Sequence, residues 1–222
     1  MLTNKTTQIP RLCKCHINED SPSKTRWYPY FMPTYEDFLR NYIDDSYKEL
    51  RKNIAYNMQY LEYLHQTNIE LSLSSVITTQ NYKTFIIFSV SVIECILYYW
   101  VSKSSLQITK EWEEIYSKEI EKGKIRSTIK VESKLEMKLE GMIKAAKSKS
   151  LFGIDNLLYE DLHKLRKLRN TTHMYNPKSQ ETDWFIFNTT QYNLARSTLL
   201  KVFVTLFKPT SYQEKIINFL KL

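Results

Sequence analysis

The densest group of chemically capable side chains lies in residues 162–177, which read LHKLRKLRNTTHMYNP. Within eight residues it holds two guanidinium groups, one carboxamide and one imidazole: Arg166, Arg169, Asn170 and His173. If the helix is continuous here, each residue turns the side chain by about 100°, so the four side chains fall within an arc of about 100°. A cationic donor, an amide and an imidazole in one stripe suit a phosphodiester substrate.

The same segment also carries the residues that would position this stripe. Leucines at positions 158, 162, 165 and 168 fill an adjoining arc and give the helix one side for a core. Asp155 is placed to cap the start of the helix. The pair Asn176-Pro177 ends it soon after His173, because a residue that precedes proline disfavours the helical conformation.

An apolar element comes earlier, over about residues 81–102. It contains FIIFSVSVIECILYYWV, in which the single charge is Glu94. A membrane span needs about 20 apolar residues, and a carboxylate at its middle is costly in lipid, so we predict a helix buried within a bundle and no membrane partner. A buried carboxylate needs a partner. Two remain open for Glu94: a structural bond to a tyrosine or backbone donor, or the Arg/His stripe, which it would orient.

The N-terminal part of the chain divides into an arm and a long helix. Residues 1–33 are polar with scattered prolines and predict an irregular arm. Thr34 and Asp37 form a capping-box-like start, and the helical pattern that follows ends near residues 65–68. His65 is expected to be solvated or capping, without a chemical role.

The rest of the chain predicts further helices. A charged stretch over about residues 107–150 is interpreted as a solvated helical insertion, and the alternative is a nucleic-acid clamp. An amphipathic helix follows at about residues 190–207, and Ser211 with Glu214 starts a short terminal helix. With three glycines and six prolines in 222 residues, the fold class is all-α, and residues 34–222 form a single helical domain.

Charge and cysteine content indicate the partners and the compartment. The net charge of +8 favours acidic partners such as nucleic acid. The candidate RNA-binding cations are Lys144, Lys147, Lys164 and Lys167. Three cysteines make no disulfide framework, and residues 1–10 have no signal-peptide core, which predicts the cytoplasm. The run Cys13-Lys14-Cys15-His16 offers too few ligands for structural zinc, so we expect no metal and no cofactor.

These features together resemble the HEPN superfamily, whose hallmark is an arginine and a histidine separated by four to six intervening residues, with a polar residue after an arginine. Arg166 and His173 have six intervening residues and match this pattern. Arg169-Asn170 reproduces the arginine-asparagine pair, although only three residues separate Arg169 from His173. The apolar helix with its central Glu94 matches the family's earlier helix. The resemblance covers about residues 80–207.

The resemblance implies an up-and-down helical bundle that dimerises, so that two motifs face each other across a cleft. It also implies a metal-independent endoribonuclease of a toxin or antiviral-defence system. His173 would be general base or acid, Arg166 or Arg169 would neutralise the phosphate, and Asn170 would hydrogen-bond to it. One such histidine per chain is few for both roles, which is a separate reason to expect a homodimer.

Three other interpretations stay open. The stripe resembles a basic, solvated helix face in which His173 is favoured by the helix dipole. A noncatalytic HEPN-like module would bind RNA, a nucleotide or a partner through the same cleft. Finally, His173-Met174-Tyr175 is similar to the H-x-Y pattern of HEPN toxins whose antitoxin is a nucleotidyltransferase, and Tyr175 would then be the adenylylated residue.

Overall fold

The computed structural model describes residues 32–39, 43–103, 138–154, 156–172 and 182–222. These residues form helices and no β-strand, which confirms the all-α prediction for the part of the chain described. The helices are α1 (Tyr35–Leu39), α2 (Lys48–Glu70), α3 (Ser75–Lys103), α4 (Leu139–Ser148), α5 (Asn156–Asn170), α6 (Asp183–Ile186), α7 (Thr189–Phe207) and α8 (Ser211–Ile216), with 3-10 turns at Asp45–Tyr47 and Asn218–Leu220.

Helix α3 is the centre of the bundle. It packs against α2, α4, α5 and α7. Among the described residues it alone is long and apolar enough to cross a membrane, with a mean hydropathy of 1.8 over its most apolar window, but 56% of that window is buried inside the fold. This is the pattern of a core helix in a soluble protein, as the charge at Glu94 predicts.

The predicted helix from Thr34 to about residue 65 is wrong in one respect, because it is interrupted. Helix α1 ends at Leu39 and α2 begins at Lys48. Asp44 between them is extended, with φ −60° and ψ 152°. Its carboxylate accepts hydrogen bonds from Tyr99 Oη at 2.9 Å and Lys103 Nζ at 2.7 Å. Side-chain contacts to the end of α3 therefore hold the chain at this interruption.

Of the two capping boxes predicted at helix starts, the structure confirms one and shifts the other. The first is confirmed, since the backbone N–H of Thr34 donates to Asp37 Oδ2 at 2.9 Å and the N–H of Asp37 donates to Thr34 Oγ1 at 3.4 Å. The second is shifted by one residue, because the capping box of α8 is formed by Thr210 and Gln213. The predicted cap at Asp155 lies outside the described residues.

Helix α4 lies within the range predicted to be a solvated insertion, but it belongs to the core. Residues 104–137 are outside the described part of the chain, whereas α4 packs against α3 and α5. Its apolar residues are all at most 6% exposed: Leu139, Met142, Ile143, Ala145 and Ala146. Burial of this apolar face outweighs the surrounding charges, so the predicted boundary at residue 150 is too far along the chain.

His65 is buried, so the prediction that it is solvated is wrong. Helix α2 continues to Glu70, which places His65 within the helix, where its side chain contacts α7. The residue is 8% exposed, and its Nδ1 lies 2.7 Å from Tyr192 Oη. Burial, followed by the charge of Arg196, lowers the pKa of His65 to about 4. Burial also raises the pKa of Tyr192 to about 12.

Glu62 lies one turn before His65 and is 5% exposed. Burial raises its pKa from 4.5 to about 7, against a hydrogen bond that Gln66 donates at 2.8 Å. Between these two pH values the folded state binds more protons at Glu62 than the unfolded state, so stability falls as pH rises. For His65 the window is about pH 4 to 6.5 and the sign is opposite, because the unfolded state binds more protons. The two effects therefore oppose each other where they overlap.

We expect Glu62→Gln to separate these effects. Relative to wild type, the variant should be more stable at pH 8 than at pH 5, with a gain of about 2–3 kcal/mol in its free energy of unfolding, because it no longer ionises a buried carboxyl. Urea unfolding of both proteins at the two pH values measures this difference. Glu49→Gln is the matched control on the same helix, since Glu49 is an exposed carboxylate paired with Lys52. An equal pH dependence in both variants would contradict the prediction.

Candidate functional site

A cavity of about 460 Å³ lies between α3, α4 and α5, and we call it the arginine cavity. Its charged and polar lining residues are Glu94, Lys138, Glu140, Arg166, Arg169, Asn170 and Thr172. The three stripe residues that the structure describes, Arg166, Arg169 and Asn170, therefore meet in one cavity as their helical spacing predicts. The floor includes the apolar side chains of Ile87 and Leu139.

Glu94 contacts an arginine of the stripe, and this decides between its two predicted partners. Arg169 Nη1 donates a short hydrogen bond to Glu94 Oε2 across the space between α5 and α3. The two side chains are 36% and 27% exposed, so the pair lies at the cavity wall rather than in the apolar core. This bond uses one of the five N–H donors of the guanidinium, and it holds the group at the cavity.

The cavity has a second carboxylate, Glu140, which pairs with Arg166 and which the sequence analysis did not single out. Arg166 Nη1 lies 3.0 Å from Glu140 Oε2, and Glu140 Oε1 lies 3.5 Å from Lys144 Nζ. The Nε atom of Arg166 is buried and has no hydrogen-bond partner in the described structure. In the sequence, Glu140 and Lys144 stand four residues apart, which is also the spacing of ordinary surface ion pairs. Only the packing of α4 against α5 distinguishes Glu140 from the other glutamates of the charged stretch.

The charges of the described cavity lining leave a net positive field. Three cations, Lys138, Arg166 and Arg169, face two carboxylates, Glu94 and Glu140, which leaves one positive charge in excess. Both carboxylates hold arginines that keep further N–H groups, so the cavity can accept an anion with bidentate geometry. A phosphate would bind by adding to, or displacing, these carboxylate contacts.

The end of helix α5 limits what the structure describes of the stripe. The helix ends at Asn170, which is exposed. Thr171 Oγ1 donates to Leu168 O at 2.7 Å and Thr172 Oγ1 donates to Arg169 O at 2.8 Å, so two hydroxyl groups satisfy carbonyls of the last turn. His173 and Tyr175 lie outside the described residues. The expected helical arc therefore applies to Arg166, Arg169 and Asn170.

The four candidate RNA-binding lysines lie on α4 and α5 but are not part of the described cavity lining. Lys144 approaches Glu140, and Lys164 Nζ lies 3.0 Å from Asp161 Oδ1. Lys147 Nζ lies 6.0 Å from the ring centroid of Tyr159, and Lys167 is exposed. All four lysines lie on the two helices that line the cavity together with α3, and their role in binding RNA stays a prediction.

His163 lies one turn before Arg166 and is half-buried. Burial, followed by the positive charge of Arg166, lowers the pKa of its imidazole, while Glu140 acts in the opposite direction. The ring is therefore neutral at pH 7. It does not belong to the described lining of the arginine cavity, which makes it a useful comparison for His173.

Among the described residues, no group of three or more His, Cys, Asp or Glu side chains could hold a metal ion. The segment Cys13-Lys14-Cys15-His16 lies outside this part of the chain. Comparison of the chain with protein-family models, with curated proteins and with solved structures gave no match.

Proposed function

We propose that this protein is a metal-independent endoribonuclease of the HEPN type, which cleaves RNA by attack of the substrate's own 2′-hydroxyl. The observation that carries the proposal is the arginine cavity, which is lined by Arg166, Arg169 and Asn170. In the sequence, His173 follows Asn170 by three residues. Each arginine is held by a carboxylate from a different helix. Such preorganised positive charge is what a developing phosphorane requires.

The residues have distinct roles in the proposed reaction. A general base removes the 2′-hydroxyl proton, O2′ bonds to phosphorus, the bond from phosphorus to O5′ breaks, and a general acid protonates O5′. His173 supplies the acid or the base. Arg169, positioned by Glu94, neutralises the phosphorane oxygens, and Arg166 and Asn170 bind the same group. The products are a 2′,3′-cyclic phosphate and a 5′-hydroxyl.

The composite site is part of the proposal, since acid and base are best supplied by two copies of His173. A second copy of the chain would approach along the outer face of α3, beside Glu94. That face carries Tyr98, which is 45% exposed. Tyrosine is enriched at protein–protein interfaces. A monomeric mass in solution at the concentrations of the cleavage assay would remove this part of the proposal.

The biological setting proposed is cytoplasmic, in a toxin or antiviral-defence system, with a possible protein antitoxin or regulator as a further partner. The charge of +8 is consistent with RNA as the substrate. In such a setting, adenylylation of Tyr175 would add a negatively charged phosphodiester two residues after His173 and would oppose RNA binding.

The test is cleavage of single-stranded RNA by the purified full chain in the presence of EDTA. We expect cleavage that persists in EDTA, products that end in a 2′,3′-cyclic phosphate, and no cleavage at a linkage whose 2′-hydroxyl is replaced by hydrogen. Mass spectrometry of the products identifies both ends. Cleavage of the 2′-deoxy linkage, or complete loss of activity in EDTA, would contradict the mechanism.

A noncatalytic RNA-binding module is the second candidate, and one observation favours it. Both arginines of the cavity are already neutralised by carboxylates, an arrangement that suits reversible binding of an anion as well as catalysis. RNA binding without any cleavage, unchanged in His173→Ala, would support this candidate over the nuclease.

A further inference from the structure

A second cavity, of about 250 Å³, lies where α3 and α7 begin, and we call it the aromatic cavity. Its rings come from Tyr82, Trp184 and Phe187, and its hydroxyl groups from the first turns of α3 and α7. Cavities for drug-sized molecules measure about 300–1,000 Å³, so this one suits a smaller group such as a single planar ring system. It is far too small to be a protein-docking surface, which needs about 800 Å² on each side.

Two rings of the aromatic cavity are held by contacts with other residues of the protein. Tyr82 stacks on Tyr192 with ring centroids 4.5 Å apart. Phe187 is completely buried, and Lys83 Nζ lies 5.3 Å from its ring centroid. These contacts leave the cavity-facing parts of the rings with little conformational freedom to lose when a ligand binds.

The short helix α6, which carries Trp184, is tied to α3. Asp183 Oδ2 accepts hydrogen bonds from Gln80 Nε2 at 3.1 Å and from Lys83 Nζ at 3.0 Å. Trp184 nevertheless remains 53% exposed. A tryptophan at the rim of a cavity, with much of its ring in solvent and no ring contact among the described residues, provides a surface on which a ligand can stack.

The polar groups of the aromatic cavity match the edge of a heterocycle. Ser75, Thr78, Thr79 and Thr189 each bring a hydroxyl. Thr78 Oγ1 already donates to Ser74 O at 3.1 Å and Thr189 Oγ1 to Tyr82 Oη at 3.5 Å, so these two hydroxyls can accept a hydrogen bond from a ligand.

We propose that the aromatic cavity binds one unpaired nucleobase of the single-stranded RNA whose backbone enters the arginine cavity. This inference rests on the proposed nuclease function and identifies its substrate as unpaired RNA. Stacking of bases on aromatic side chains is the usual way in which proteins hold single strands.

Helix α3 joins the two cavities. Tyr82 lines the aromatic cavity and Ile87 lines the arginine cavity, five residues and therefore about 7.5 Å further along the helix axis. Glu94 lies about 18 Å from Tyr82 along the same axis. Around the axis, the side chain of Tyr82 is turned by about 140° from Ile87 and by about 120° from Glu94. A strand of a few nucleotides that occupies both cavities would therefore pass around α3 as well as along it.

The test measures the affinity of the full-length protein for short fluorescent 2′-O-methyl oligoribonucleotides, which cannot attack their own phosphates. We expect Trp184→Ala to weaken binding by roughly fivefold to a hundredfold, the range for loss of one base stack. Trp184→Phe should retain most of the affinity, because it keeps an aromatic face. Phe185→Ala is the matched control, since Phe185 is an aromatic of the same helix, is 68% exposed and does not line the cavity.

Oligonucleotides with one abasic position then test whether the ring that binds belongs to the strand. At one position the loss of the base should weaken binding to wild type but not to Trp184→Ala, because both changes remove the same stack. Equal affinity of wild type, Trp184→Ala and Phe185→Ala for the intact strand would overturn the inference. The inference would also be overturned if Trp184→Ala weakened the binding of adenosine monophosphate but left the affinity for the strand unchanged.

The outcome for the nuclease is separate. If wild type cleaves RNA and Trp184→Ala binds it normally, the nucleobase subsite is wrong and the nuclease stands. If strand binding depends on Trp184 but wild type never cleaves RNA, the nuclease is wrong and the subsite stands.

Discussion

Replacing His173 with alanine is expected to slow cleavage of single-stranded RNA by roughly a hundredfold to ten-thousandfold, the usual contribution of a positioned general acid or base. The expectation follows from its position in the sequence, three residues after Asn170, which is the last residue of α5 and lines the arginine cavity. The measurement is the single-turnover rate at saturating protein in EDTA, because at saturation a change in affinity for RNA does not alter the rate. A 2′-O-methyl oligonucleotide should bind the variant with an affinity close to that of wild type.

His163→Ala is the matched control for this experiment. His163 belongs to the same helix, and its imidazole is held neutral by burial and by the charge of Arg166, but it does not line the cavity. Its loss should change the rate by no more than severalfold. If His173→Ala retained full activity, the catalytic proposal would be removed, whatever the control showed.

Arg169→Ala is expected to slow cleavage by roughly a hundredfold to a thousandfold, the effect of removing one donor aimed at a developing oxyanion. Arg169→Lys should recover little of this loss, because a lysine offers a point charge in place of the planar fork that binds carboxylate and phosphate together. Glu94 acts through Arg169, so Glu94→Gln should have a smaller effect, mainly on the rate constant rather than on the affinity for RNA.

The pair calls for a double-mutant cycle. If Glu94 serves only to position Arg169, the variant with both substitutions should be no slower than Arg169→Ala alone. Both side chains are about a third exposed, and such pairs contribute at most about 1 kcal/mol to folding, so urea unfolding should show little loss of stability. Arg51→Ala is the matched control, because Arg51 pairs with Asp45 on another part of the surface. Additive losses at positions 94 and 169 would contradict the positioning role.

The local part of the structure could be predicted from the sequence. Apolar periodicity gave the helices α2, α5 and α7, and a single charge in an apolar run indicated that α3 is a core helix with a polar contact at Glu94. The spacing of Arg166, Arg169 and Asn170 predicted that they share one face, and they line one cavity. Each of these predictions depends on residues within a few turns of one another.

The failures involve contacts between residues far apart in the chain. The break before α2 is held by Asp44 and Tyr99, which are 55 residues apart, and His65 is buried against Tyr192, which is 127 residues away. Neither contact leaves a periodic signal. The charged stretch misled for a different reason, since its many lysines and glutamates masked the apolar face by which α4 joins the core.

Two cavity residues were missed because they look ordinary in isolation. Glu140 has the spacing of a surface ion pair, and Trp184 stands in a short apolar run that gives no sign of a cavity. A sequence signal for Trp184 does exist: it follows Asp183, whose carboxylate accepts hydrogen bonds from Lys83 and Gln80 of α3. Recognising it requires knowing that α3 lies alongside.

Because α3 is one unbroken helix, the interval between the two cavities is constant. Tyr82 and Glu94 belong to one hydrogen-bonded rod, so neither can approach the other without breaking the central element of the core. A base bound in the aromatic cavity would thus fix the position of the strand, and the cleaved linkage would lie a constant number of nucleotides away from that base. Mapped fragment ends should then share a common offset from their preferred base, even when the intervening letters differ.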